Sequence, residues 1–141
     1  MLVHRREFRI EWGQCDPAGI VFYPQFFAMF DLSTAQLFER TGLTGKDLRK
    51  KYGIVGFPLV DAGANFRKPC FYDDNVVIEC EIGEWGRSSF TIIHRILKGG
   101  ELAVEGFEKR VWAKAQAGGP GIKPEPVPDE IKALLSGPAS P

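Results

Sequence analysis

Two aspartates stand where a carboxylate could do chemistry, and the residues around each say what kind. Asp16 lies in the run Gln14-Cys15-Asp16-Pro17-Ala18-Gly19-Ile20-Val21-Phe22-Tyr23-Pro24, just ahead of a stretch with helical spacing. A helix start leaves N–H groups free and carries partial positive charge, so it stabilises a carboxylate and can receive an oxyanion. One short segment therefore offers a base or nucleophile beside an electrophilic pole. The same residues also read as an ordinary turn, since Asp-Pro followed by Gly is common turn chemistry. Asp31 falls inside the helical stretch. With residues placed at 100° intervals it sits in the middle of an arc formed by Phe26, Phe27, Ala28, Phe30, Thr34, Ala35, Leu37 and Phe38. A carboxylate there has to be paired, hydrogen-bonded or protonated. It either makes a structural contact to backbone or to an arginine, or faces a polar atom of a ligand.

Other side chains offer less. Cys15 has no histidine near it in sequence and reads as a small half-buried residue. His94 alternates with Phe90, Ile92 and Ile96, the setting of a core histidine, and His4 lies near the chain start. No G-x-S-x-G, phosphate-loop or dinucleotide fingerprint occurs, so serine hydrolase, kinase and dehydrogenase readings fall away. The three cysteines are not closely paired in sequence and there are only two histidines, so no Cys/His zinc pattern can be written and a reducing compartment is expected.

The elements that must position these residues follow from periodicity. Phe8, Ile10 and Trp12 alternate with Arg9 and Glu11 as a half-buried strand, and Gly13 to Gly19 form a loop. Gln25 to Arg40 contain no Gly or Pro, with Pro24 suited to the first turn and Gly42 to the stop, which predicts a helix of about four turns. A shorter helix is expected over Gly45 to Tyr52. Period-two patterns then predict strands through Val60–Phe66, Val76–Ile82, Phe90–Ile96 and Leu102–Ala115, with a turn at Lys98-Gly99-Gly100 and a bulge at Gly106. The expected class is α+β, a long helix covered by an antiparallel sheet of five strands.

The 141 residues, 44% hydrophobic, suffice for one domain with a real core. Eighteen basic and 18 acidic side chains are interleaved, which excludes a nucleic-acid or anionic-membrane binder that works through basic excess. No apolar run approaches the length of a leader or a spanning helix, so a cytoplasmic protein is expected. The domain is expected over residues 1–116. Residues 117–141 hold six of the ten prolines and read as a surface tail, with one short helix at Asp129–Leu135.

The segment Asp16 to Pro24, Asp-Pro-Ala-Gly-Ile-Val-Phe-Tyr-Pro, resembles the loop of the 4-hydroxybenzoyl-CoA thioesterase family of hot-dog fold proteins. The similarity continues through Gly53-Ile54-Val55-Gly56, Tyr72-Asp73-Asp74 and Glu84-Trp85, covering roughly residues 8–115. It implies that the long helix is the sausage, the sheet the bun, and that active sites form where two subunits pair in a homodimer or homotetramer. It implies Asp16 as catalytic carboxylate, nucleophile or base, and the Tyr23 backbone N–H as oxyanion donor. It also implies Asp31 as the contact to an acyl-group hydroxyl, with Phe26, Phe27 and Phe57 about the acyl pocket. Similar members carry several basic residues after the matching Trp for coenzyme A phosphates. Here Trp85-Gly86-Arg87-Ser88 leaves Arg87, with Ser88 beside it, and Arg67 and Lys68 are a solvated basic pair or a second anion site. The implied reaction is hydrolysis of an aromatic or other small acyl-CoA without metal or cofactor, coenzyme A being part of the substrate. The alternatives are a carrier-protein thioesterase, a non-catalytic thioester-binding scaffold, and an enoyl hydratase, the last lacking a His after Asp16.

Overall fold

The computed structural model of the chain describes residues 1–137. The chain opens with β1 (His4–Arg9), a 3₁₀ turn at Trp12–Gln14, the long helix α1 (Pro24–Glu39) and the short helix α2 (Gly45–Tyr52). Strands β2 (Ile54–Gly56), β3 (Leu59–Phe66), β4 (Asn75–Trp85), β5 (Ser89–Lys98), β6 (Glu101–Val111), β7 (Ala113–Ala115) and β8 (Ile122–Pro124) follow, then α3 (Asp129–Ser136). The α+β expectation is met: one antiparallel five-stranded sheet in the order β1-β4-β5-β6-β3 covers α1. A second, three-stranded sheet, β2-β7-β8, closes one end.

Alternation along β4 and β5 buries Val76, Ile78, Cys80 and Ile82 against Phe90, Ile92, His94 and Ile96. On α1 the buried residues Phe26, Met29, Phe30, Ser33, Thr34, Leu37 and Phe38 recur at three- and four-residue intervals, one face of a helix. This face is rotated from the expected arc. Met29 and Ser33 point in, while Ala28, Asp31 and Ala35 point out. The reason is the contact at the helix centre. Phe30, fully buried, seats its ring where Gly106 has no side chain; a Cβ there would stand 2.5 Å from the ring and 2.9 Å from the Gly63 carbonyl oxygen. Gly106 is therefore not the expected bulge, because β6 keeps its register through it and makes room for the helix.

Three further expectations shift. The first strand ends at Arg9, and Trp12, 66% exposed, belongs to the 3₁₀ turn. The strand expected from Leu102 to Ala115 breaks at Trp112, whose buried indole sends β7 into the second sheet. In β3, Val60 and Phe66 are exposed, because β3 is a sheet edge that among the described residues pairs with β6 alone. After Gln116 the chain adds β8 to the second sheet, and α3 buries Ile131 and Leu135 against Trp112 and its neighbours. Tyr52 donates a hydrogen bond to Glu130, joining α2 to α3.

Candidate functional site

The loop between β1 and α1 folds as a miniature hairpin. Cys15 bridges Val21, the Asp16 N–H donates to the Ile20 carbonyl at 2.9 Å, and the Phe22 N–H donates to the Gln14 carbonyl at 2.9 Å. Gly19, at φ +79°, turns the tip as few other residues can. The returning arm is pinned outside the loop by the Ile20–Phe71 bridge and by the Val21 N–H to the Cys70 carbonyl at 2.9 Å. Asp16 is thus held by backbone, half-buried, and its carboxylate accepts one hydrogen bond, from the Ala18 N–H to Oδ1 at 2.8 Å. Among the described residues nothing donates to Oδ2. That is a positioned carboxylate with one oxygen unused.

The helix start into which the returning arm leads leaves a donor unclaimed. Pro24 has no N–H, and the Gln25 and Phe26 N–H groups turn back to the Phe22 and Tyr23 carbonyls at 2.8 and 3.1 Å. The Tyr23 N–H meets no acceptor among the described residues. Next to it lies a cavity of about 250 Å³ bounded by Tyr23, Phe26, Phe66, Arg67 and Cys70. Arg67 and Lys68 are ion-paired there with Glu105 and Glu101 and are about half exposed, the solvated pair of the two readings.

Asp31 lies elsewhere. Eight residues beyond Tyr23 on the helix axis it is about 12 Å further along, and its side chain is 71% exposed. It is not embedded among apolar groups. Its Oδ1 accepts from Arg110 Nη2 at 2.7 Å. It borders a second cavity of 200 Å³ with Thr34, Phe38, Arg49, Phe57 and Arg110. Within one chain, then, Phe26 accompanies Tyr23 and Phe57 accompanies Asp31, in two cavities. Phe27 packs edge-on against Phe30, centroids 5.7 Å apart, and lines neither.

Arg87 and Ser88 form the turn after β4. The Arg87 and Ser88 carbonyls accept from Val127 and Trp112 at 2.9 and 2.7 Å, and Arg87 is exposed. The Asp16 loop abuts the other end of β4, where Arg9 pairs with Asn75. At about 3.3 Å per residue the strand separates them by roughly 30 Å, so a single chain does not bring Arg87 to Asp16.

Behind Asp31 runs a buried chain of polar groups that periodicity did not reveal. Arg110 donates through Nη2 to Glu108 as well as to Asp31, and through Nη1 to the Phe57 carbonyl at 2.9 Å. Glu108, 3% exposed, also accepts from the Thr34 hydroxyl and from His94 Nε2 at 2.8 Å. Burial alone would raise the Glu108 carboxyl, but the donors His94, Arg110 and Thr34 outweigh it and hold it down to about 2. Burial pushes His94 below its ordinary value despite Glu108, so the ring is neutral and donates through Nε2. It stacks on Phe30 at 4.5 Å. The one signal in the sequence was a charged pair two residues apart, Glu108 and Arg110, on one face of a strand.

Among the described residues no group of three His, Cys, Asp or Glu is placed to hold a metal ion, and no helix is long and apolar enough to cross a membrane.

Residues 10–135 match the thioesterase-like superfamily. The 4-hydroxybenzoyl-CoA thioesterase of Pseudomonas sp. (strain CBS-3) is 39% identical over 111 residues, 74% of this chain and 79% of that protein. Its three-dimensional structure superposes with a TM-score of 0.85 at 34% identity, over 94% of this chain and 98% of that one. A gentisyl-coenzyme A thioesterase of known structure gives a TM-score of 0.79 at 30% identity, over 95% of this chain and 100% of that one.

Proposed function

The chain belongs to the thioesterase-like superfamily, within the 4-hydroxybenzoyl-CoA thioesterase family of hot-dog proteins, and from that premise we propose that it hydrolyses hydroxylated aromatic acyl-CoA thioesters to the free acid and coenzyme A. It is a thioester hydrolase. Two relatives whose names give ring-hydroxylated acyl groups, 4-hydroxybenzoyl and gentisyl, support the substrate class.

The observation that carries the mechanism is that one backbone-pinned hairpin leading into α1 holds both a carboxylate with a free oxygen, Asp16, and a backbone N–H with no acceptor among the described residues, Tyr23. Asp16 acts on the thioester carbonyl carbon, either by direct attack that expels coenzyme A thiolate and gives an acyl-enzyme anhydride, which water then hydrolyses to the acid and free Asp16, or by taking a proton from a water that attacks the carbon, the C–S bond then breaking to release the thiolate, which is protonated. The carbonyl oxygen, gaining charge, is received by the Tyr23 N–H. A preorganised donor of this kind contributes about 3 kcal/mol to the transition state, and a positioned base about 100- to 10,000-fold in rate.

The active unit is a homodimer or a larger even assembly. The support is threefold. The β3 edge leaves a row of backbone groups unpaired and exposes Leu59, Val60 and Phe66. Alongside, α1 exposes Ala28, Leu32 and Ala35 in a stripe. And the residues of the expected site lie in three separate places on one chain, a distribution that a second copy can bring together. Arg87 serves the coenzyme A phosphates of a site completed by another copy.

The test is thiol release from 4-hydroxybenzoyl-, gentisyl-, benzoyl- and acetyl-CoA and from an acyl carrier-protein thioester. Preferred turnover of the hydroxylated aromatic CoA esters is expected. Preference for the carrier protein, or binding without thiol release, would overturn it.

A further inference from the structure

We propose that Arg110 is the positioning residue that makes Asp31 a reader of the acyl-group hydroxyl, with Glu108, Thr34 and His94 as its fixed support. The inference rests on the hydroxyaromatic reading above and adds the residue that sets its selectivity. Three observations carry it. First, the guanidinium is held from three sides, by the Phe57 carbonyl at 2.9 Å, by Glu108 and by Asp31 Oδ1 at 2.7 Å, and its side chain is only 11% exposed. Its fork is immobile, and it fixes the direction of an Asp31 side chain that is otherwise 71% exposed and would rotate freely. Second, Arg110 occupies only Oδ1; no described residue donates to Asp31 Oδ2, which is left as an acceptor at the rim of the Phe57 cavity. Third, the charges do not cancel. Glu108 is ionised in the core, Arg110 offsets one of the two carboxylates it touches, His94 carries no charge, and Arg49 and Glu39, which also line the cavity, offset each other, so one negative charge is left in surplus.

That combination selects for a neutral hydrogen-bond donor. A phenolic hydroxyl satisfies Oδ2, a bare ring leaves the carboxylate without its partner, and a ring carboxylate is repelled. A site built around a hydroxyl rejects analogues lacking it far more strongly than an apolar pocket rejects a size change. A freely rotating aspartate would still accept the hydroxyl, but the ordering cost would fall on the bound substrate, so discrimination shrinks when Arg110 is lost.

The experiment compares kcat/KM for 4-hydroxybenzoyl-, benzoyl- and 4-carboxybenzoyl-CoA in wild type, Asp31→Ala, Arg110→Gln and Arg110→Lys, with circular-dichroism melts of each. The readout is the ratio between the first two esters, because a merely structural defect would lower both rates in parallel and leave their ratio unchanged. Arg110→Gln is expected to cut the hydroxybenzoyl to benzoyl ratio about tenfold. Arg110→Lys, which keeps the charge and so protects the fold but cannot make the same fork, is expected to restore it in part, and 4-carboxybenzoyl-CoA to be the poorest wild-type substrate. If Asp31→Ala lowers the ratio while folded Arg110→Lys and Arg110→Gln leave it at the wild-type value, the positioning role is overturned and the substrate reading stands. If Gln unfolds and Lys alone is measurable, a Lys ratio equal to wild type overturns it equally. A wild-type enzyme that does not distinguish the esters overturns both.

Discussion

Two carboxylates flank the same helix and are treated in opposite ways. Asp16 receives one hydrogen bond, from a neighbouring backbone N–H, and keeps an oxygen free in a half-buried loop. Glu108 receives donors from Thr34, His94 and Arg110 and is almost wholly buried. The difference separates chemistry from architecture: a buried carboxylate with donors on both oxygens is a fixed charge that organises its neighbours, and one with an oxygen left unused can attack or accept a proton. Asp31 likewise keeps one oxygen free, but its other oxygen is paired with the Arg110 cation where that of Asp16 has only a neutral backbone N–H, and a carboxylate held against a guanidinium is suited to recognition rather than reaction.

The sharpest way to break this contrast is at Glu108. Replacing it by alanine strips three buried donors of their acceptor, and urea unfolding should register a loss of about 3–5 kcal/mol. A loss below about 1 kcal/mol would mean that the clamp is not structural.

A smaller loss is expected at the contact that seats the helix over the clamp. In Gly106→Ala the new methyl meets the Phe30 ring and the Gly63 carbonyl, and the overpacking should cost about 1–3 kcal/mol by the same measurement. An unchanged stability would show that Phe30 has another place to go.

Acid should reveal the clamp in the wild-type protein. Glu108 is held down to about 2 against an ordinary 4.5, so its contribution is present above pH 4.5 and is lost as the pH falls toward 2. His94 works in the same direction: burial keeps it neutral, so below 6.5 the unfolded chain takes up a proton that the folded chain refuses. Urea midpoints measured at steps from about pH 7 to about pH 3 should fall progressively, beginning near the histidine range. A midpoint flat down to about pH 4 would contradict this reading of the pair.

The smallest effect belongs to Asp16. Asparagine keeps the side-chain oxygen that accepts from Ala18, so the turn survives and stability should stay within about 0.5 kcal/mol of wild type.

The legibility of the two regions in the sequence differs for the same physical reason that their chemistry differs. The Asp16 loop is made of local signals, Asp-Pro, a turn glycine and Pro24 at a helix start, so its place before α1 could be read directly from neighbouring residues. The long helix was legible from a run without Gly or Pro, the strands β4 and β5 were legible through periodicity, and α2 spans the expected Gly45–Tyr52. The clamp was not, because it exists only in register: Glu108 meets His94 through the pairing of β5 with β6, where Ile92 faces Glu108 and His94 faces Gly106. The rotation of α1 that exposes Asp31 was hidden likewise, since it depends on a hollow at Gly106, 76 residues from Phe30 in the chain. Arg87 and Ser88 were found by resemblance, but their distance from Asp16 appears only once β4 is built as one unbroken strand.

The most direct measurement is thiol release from 4-hydroxybenzoyl-CoA by wild type and Asp16→Asn at matched concentration and matched stability. The account predicts a fall in kcat of about 100- to 10,000-fold in a variant that melts like the parent. A folded Asp16→Asn enzyme that releases thiol at the wild-type rate would contradict it, and would move the reaction away from the start of α1.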